Sequence, residues 1–215
     1  MYKKLDALLK AVKKMIQTEF ASLGAMGFDR LNVINTRKLT KAMFTRLLQK
    51  NEEIYVKVAE NAYSEGKKTA KGMGYSGTEE TEIDSDWVLT VLLAYNLVTG
   101  YLYDKEAERK RLRLNEQILT AREYNDGGML KDGLRRSMNL WWTQTQQYGI
   151  DMVDEATIQA YVDAGVKRVR WITAADERTC EECRPRHNKI YDIRRVPAKS
   201  HYGCRCRLEP VEVEV

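Results

Sequence analysis

The sequence predicts a mainly α protein: an elongated helical body over residues 1–165, followed by a small β-containing Cys/His subdomain over residues 166–215. Three observations carry this. Up to about residue 165 the apolar residues recur at threes and fours, the period of a buried helical face. From Val166 the period shortens to two and β-branched residues take over. All four cysteines and both histidines of the chain fall between Cys180 and Cys206.

Composition sets the bounds. With 43% apolar residues and only three prolines, a chain of 215 residues can bury the core of one domain plus a small appendage. The net charge of +5 is uneven: residues 166–207 hold twelve Lys/Arg against five Asp/Glu, so the rest of the chain is slightly acidic. A basic end of this kind suits phosphates or an acidic protein surface.

The first helix is read from Leu5, Leu8, Leu9, Val12, Ile16 and Phe20, which share one face, with Lys3, Lys4, Lys10, Lys13 and Lys14 mostly elsewhere. Docking on the protein's own body is favoured over a membrane surface, and the start of the chain lacks the apolar centre of a signal peptide. After a loop around Gly24–Asn35, a long helix is expected from Thr36 to Lys71, with Leu39, Met43, Leu47, Ile54, Val58 and Ala62 on its inner face. It stops at Gly72-Met73-Gly74-Tyr75-Ser76-Gly77. The glycine spacing is that of a dinucleotide fingerprint. That chemistry needs a strand before the glycines and a helix opening on them. Here a helix precedes and the acidic run Glu79, Glu80, Glu82, Asp84 follows, so the stretch reads as a flexible loop.

Asp84, Ser85 and Asp86 offer caps for a third helix, Trp87–Thr99, apolar on most faces and expected to be central. Its 12-residue apolar run is too short to cross a bilayer, and the chain is expected to be soluble. Gly100 bends or breaks it. A charged helix follows to about Asn125; its run Arg109–Arg113 is interleaved with Glu106, Glu108 and Glu116, the pattern of a solvated, ion-paired face rather than a phosphate track. Asn125–Gly128 is a turn. A helix from about Lys131 to Gly149 carries Trp141 and Trp142, which cannot both face inward, and Asp154 caps another that Gly165 ends. Strands are expected over Val166–Thr173, Lys189–Ile193 and Arg207–Val215, the last with Glu212 and Glu214 alternating against valine.

The cysteine stretch carries the chemistry. Cys180 and Cys183 have the spacing of a metal-binding knuckle; after a 17-residue spacer His201-x-x-Cys204-x-Cys206 supplies a second loop. A redox pair would open a helix after a strand, whereas a basic, Pro-containing loop follows here. Disulfides need an oxidising compartment, and free thiols leave the crowding unexplained. Structural zinc is favoured over both. Five ligands are available for four places: Cys180, Cys183 and His201 come first, with Cys204 and Cys206 competing for the last. His187 is the spare, hydrogen-bonded or solvated on the turn. A filled site of this kind leaves no position for water, so it is structural rather than catalytic. The clasp would hold together three strands too short to build a core alone.

Trp171-Ile172-Thr173, Asp176, Thr179-Cys180-x-x-Cys183, a hairpin ending near Tyr191, Pro197 and His201-x-x-Cys204-Arg205-Cys206 together resemble the signature of the phage Mu F-like minor head proteins, also called phage head morphogenesis proteins. The resemblance covers about the last 75 residues. Asn188 stands where the family's turn usually has Gly, and Asn tolerates the same left-handed backbone. Three residues rather than one or two separate Pro197 from His201. The resemblance implies a non-enzymatic virion protein made in the host cytoplasm and built into the capsid interior, with portal and capsid proteins as partners and DNA as a further candidate. No catalytic set, small-molecule site or membrane anchor is expected. The competing class is a zinc-ribbon nucleic-acid-binding regulator or nuclease. Against it, both histidines lie at the cysteine cluster, leaving no evident general base, and no recognition helix adjoins the knuckles.

Overall fold

The computed structural model describes residues 2–77, 82–99, 103–174, 179–199, 204 and 206–211. The expectations for Glu79 and Glu80, Gly100, Asp176, His201, Arg205, Glu212 and Glu214 lie outside the described residues. Five helices, α1 (Tyr2–Gly24), α2 (Val33–Gly72), α3 (Ser85–Thr99), α4 (Tyr103–Glu123) and α5 (Gly127–Asp163), precede three short strands, β1 (Arg168–Ile172), β2 (Ile190–Asp192) and β3 (Arg207–Pro210). The mainly helical class with a small C-terminal sheet is the one the sequence predicts.

Two long helices form the axis of the body. α2 has 40 residues and α5 has 37, so each is a rod of roughly 55–60 Å at 1.5 Å per residue. α1 lays Leu5, Leu9, Val12, Ile16 and Phe20 into the core, with Leu8 half-buried beside them, as its periodicity requires. α4 adds Ala107, Leu114, Ile118 and Ala121. Phe44 of α2 meets Trp141 of α5 edge to face with ring centroids 5.0 Å apart. Trp142 lies half-buried on the flank under the Lys13 ammonium, so the two tryptophans divide as expected. The α4 charges pair along the helix: Glu106 with Arg109 and Lys110, and Glu108 with Arg111.

The apolar core is crossed by a sparse polar ladder. Thr40 donates to Asn115 Oδ1 at 2.6 Å, Asn51 Nδ2 donates to Thr145 Oγ1 at 3.0 Å, and Tyr55 donates to the Thr145 carbonyl at 3.1 Å. Each joins α2 to α4 or α5. Because an unpaired polar group in this core is costly, these pairs fix the sliding register of the long helices.

Three expectations change. α2 begins three residues early, at Val33, because Asn32 caps it by accepting from the Asn35 N–H at 3.0 Å; Val33 and Ile34 face solvent and carry no periodic signal. The helices expected on either side of Gly149 are one. Gly149 stays in α5 because its bare Cα lets Leu5 and Leu9 of α1 approach: a Cβ there would stand 3.1 Å from Leu5 Cδ1. Asp154 is therefore mid-helix and pairs with Lys199 instead of capping. Finally, α3 is peripheral. Val88 and Leu92 are buried, but Leu89 and Leu93 are 37% and 49% exposed, since the long rods already occupy the centre.

The glycine-rich stretch is a helix stop packed against the body. Gly74 takes φ +87°, letting the Tyr75 N–H return to the Ala70 carbonyl. α3 opens only at Ser85, with Asp84 accepting from the Trp87 N–H, so no helix N-terminus meets the glycines. α5 ends in the same way at Gly165, φ +81°, and the chain enters β1 directly.

The sheet order is β2-β1-β3, antiparallel throughout, with Val169 opposite Tyr191 and Pro210, and Trp171 opposite Leu208. Its inner side packs Val169 and Ile193 on Ala70, Tyr161 and Ala164, so the ends of α2 and α5 provide a floor that three strands alone lack. Two phenols from those helix ends hold β3: Tyr161 donates to the Leu208 carbonyl at 3.1 Å and Tyr75 to the Val211 carbonyl at 2.7 Å. Burial pushes the Tyr161 hydroxyl up to about 12, with Glu209 adding to the effect, so it stays a donor. No described helix is long and apolar enough to cross a membrane.

Candidate metal centre

The cysteine loops are laid out by the sheet. β1 delivers Trp171, and after Thr179 the chain turns through Cys180–Cys183, closed by the Arg184 N–H on the Cys180 carbonyl at 2.9 Å. The Cys183 N–H points at Cys180 Sγ, 3.2 Å away, an amide-to-sulfur bond that favours a negatively charged sulfur. Pro185 pre-sets a short 3-10 turn over Arg184–Arg186. Asn188 then takes φ +63°, the left-handed turn expected of it, and its N–H bonds the Trp171 carbonyl at 2.8 Å, starting the return into β2. From the far side, the residues before β3 bring Cys204 and Cys206 inward.

Three sulfurs converge. The ligand atoms of Cys183, Cys204 and Cys206 all lie within 4.8 Å of one another, and Cys183 Sγ stands 3.6 Å from Cys204 Sγ. All three side chains are buried, and Cys180 packs half-buried against the same cluster. A tetrahedral zinc with bonds of about 2.3 Å separates its sulfurs by roughly 3.8 Å, whereas a disulfide needs about 2.05 Å. The spacing suits a shared cation, and none of the four cysteines is in a disulfide. Cys204 and Cys206, expected to compete for one place, both enter the cluster; His201 lies outside the described residues.

The electrostatics point the same way. Burial pushes the Cys183 thiol far up, and the neighbouring thiols of Cys180, Cys204 and Cys206 add to it; burial also raises Cys206, followed by Cys204. Held up in this way, the Cys183 and Cys206 thiols keep their protons at neutral pH. A divalent cation reverses the balance, since it draws the protons off and lets adjacent thiolates share its charge. One donor is already placed for that state: the buried Trp171 Nε1–H faces Cys206 and favours its anionic form. Trp171 walls the cluster, with the Arg186 guanidinium 5.2 Å over its ring and Tyr191 edge-on at 6.3 Å.

His187 is engaged elsewhere. Its Nδ1 accepts the Thr173 N–H at 3.2 Å and lies 3.0 Å from Thr173 Oγ1, which ties the turn to the end of β1. Three contacts were not legible in the sequence. Lys199 pairs with Asp154 of α5 at 2.7 Å, pinning the loop that leads to the second cysteine pair. The Tyr75 and Tyr161 latches on β3 join residues 136 and 47 positions apart, and no local pattern signals such pairings.

Residues 105–209 match the family described as Phage Mu protein F like protein. The matched segment runs from the start of α4 to β3 and takes in every cysteine. No curated protein and no solved structure matches the chain.

Proposed function

We propose, from the match of residues 105–209 to the family described as Phage Mu protein F like protein, that this protein acts in phage head morphogenesis as a minor, non-enzymatic component of the head, working in the virion beside portal and capsid proteins. The observation that carries the reading is that the family match ends on the same cysteine-bearing sheet whose sulfurs converge. Within it, residues 166–215 form a metal-stabilised subdomain on a helical body of residues 1–165. Zinc, held by Cys183, Cys204 and Cys206 with Cys180 or His201 as the fourth ligand, would crosslink the two loops and do no chemistry. The burial of three thiols in one dry cluster supports that assignment.

DNA is the finer partner in this proposal. Lys167, Arg168, Arg170, Arg184, Lys189, Arg194 and Arg195 are all exposed on the sheet end, as a phosphate-contacting surface requires. The competing reading, a zinc-ribbon regulator that reads sequence, needs a helix beside the knuckles to enter a groove; the described helical pieces between β1 and β3 are the three-residue turns Arg184–Arg186 and Ile193–Arg195.

The test is assembly. Co-expressed with the portal and major head proteins encoded beside it, the full chain should sediment with procapsids at low copy number. Recovery solely as free protein, with particles forming normally, would overturn the head role.

A further inference from the structure

We propose that the protein associates with itself head to tail, the outer face of α3 of one copy seated in the groove between α1 and α5 of the next. This does not rest on the head-morphogenesis reading. Two surfaces, far apart in the sequence and lined by different helices, carry it.

The first is a cleft of 430 Å³ where the C-terminal half of α1 meets the N-terminal half of α5. Phe20, Ala21, Leu130, Leu134 and Met138 line it, and no carboxylate does. Its two charges, Lys131 and Arg135, are both positive. Arg135 meets Asp132 at 3.2 Å, but both side chains are at least 60% exposed, so the guanidinium remains open to a better-placed acid.

The second surface has the opposite character. Asp86, Leu89, Thr90 and Leu93 stand at spacings of three, four and seven along α3, which places them on one stripe, and all four are exposed. The stripe begins in acid: Glu82, Asp84 and Asp86 are exposed and lie at the helix's entry. An acid-headed row of leucines is what an apolar trough with a cationic rim accepts. No second helix among the described residues combines an exposed leucine pair with an acidic lead. Charge and shape therefore select a second copy of this chain as the occupant.

The two patches differ, so the contact is heterologous: it leaves a free groove at one end of a dimer and a free α3 at the other, and repeats until a ring closes.

Sedimentation of the full chain across a concentration series tests this. We expect reversible association beyond the dimer. Leu93→Glu, on the exposed stripe, and Ala21→Trp, which fills the groove from an exposed position, should each weaken it by about tenfold or more while leaving the far-ultraviolet spectrum unchanged. Mixed together, the two variants should form a dimer and nothing larger, because each supplies the surface the other lacks. Lys131→Glu should weaken association and adding Asp86→Lys should restore it. A chain that stays monomeric throughout overturns the proposal. So does association indifferent to Leu93→Glu, or a mixture of the two variants that remains monomeric; these outcomes assign the two surfaces to a different partner.

Discussion

At the scale of single residues, the cysteine cluster makes the sharpest demands. Cys183 lies at its centre, between the Cys180 turn and Cys204 Sγ, so Cys183→Ser should abolish zinc binding outright. Native mass spectrometry of the wild type should find one zinc per chain, and none in the variant. Removal of zinc by a strong chelator should change the near-ultraviolet signal of Trp171, which walls the sulfurs, while the far-ultraviolet helix signal persists. Retention of that near-ultraviolet signal without metal would show that the floor of Tyr161, Ala164 and Ala70 holds the sheet unaided. That the two cysteine pairs meet in one cluster was legible, because knuckle spacing is written locally. That Cys204 and Cys206 both turn inward was not, since two residues of spacing do not fix a side chain's direction in irregular backbone.

Among the elements, the α2–α5 contact depends on residues with nothing to show. A Cβ on Gly66 would stand 2.7 Å from Ala160 Cβ, so the two rods touch there almost backbone to backbone. Alanine is the better helix former by about 1 kcal/mol, yet Gly66→Ala should lower stability, because separating packed helices costs about 1–3 kcal/mol. Gly72, with nothing within 4 Å of its would-be Cβ, is the control: Gly72→Ala should be neutral or mildly stabilising in a denaturant titration. Helix existence was legible from periodicity, but helix continuity was not. Gly149 and Asp154 carry the letters of a break and a cap, and only the approach of Leu5 and Leu9 shows why α5 runs through them. α3 misled for the complementary reason: an apolar helix signals that its faces need cover, without saying whose.

For the molecule as a whole, stability should depend on pH through the junction of body and sheet. Burial holds the Asp151 carboxyl up at about 7, against an ordinary 3.8; the Gln147 side-chain N–H draws it back, Asp154 raises it, Lys199 lowers it and Glu155 raises it slightly. The folded chain thus holds this proton more tightly than the unfolded chain. Its contribution is complete below about pH 4 and is lost as the pH rises through 7. Asp151→Asn should remove that decline, so the variant's melting temperature should rise relative to wild type between pH 5 and 8, where roughly a degree or more per pH step is resolvable. An unchanged difference across the range would mean that Asp151 is hydrated in the native state.

The phenol latches have one more consequence. β3 is an outermost strand, and a bare outermost strand recruits others, from neighbouring chains as readily as from its own. Tyr161 occupies the Leu208 carbonyl of β3 and Tyr75 the Val211 carbonyl just past its end, which blunts the edge at which a foreign strand would dock. That turns two ordinary tyrosines into a guard against fibrous aggregation. Tyr75→Phe together with Tyr161→Phe should lower the melting point by a few degrees and speed the growth of thioflavin-positive deposits at temperatures well below it.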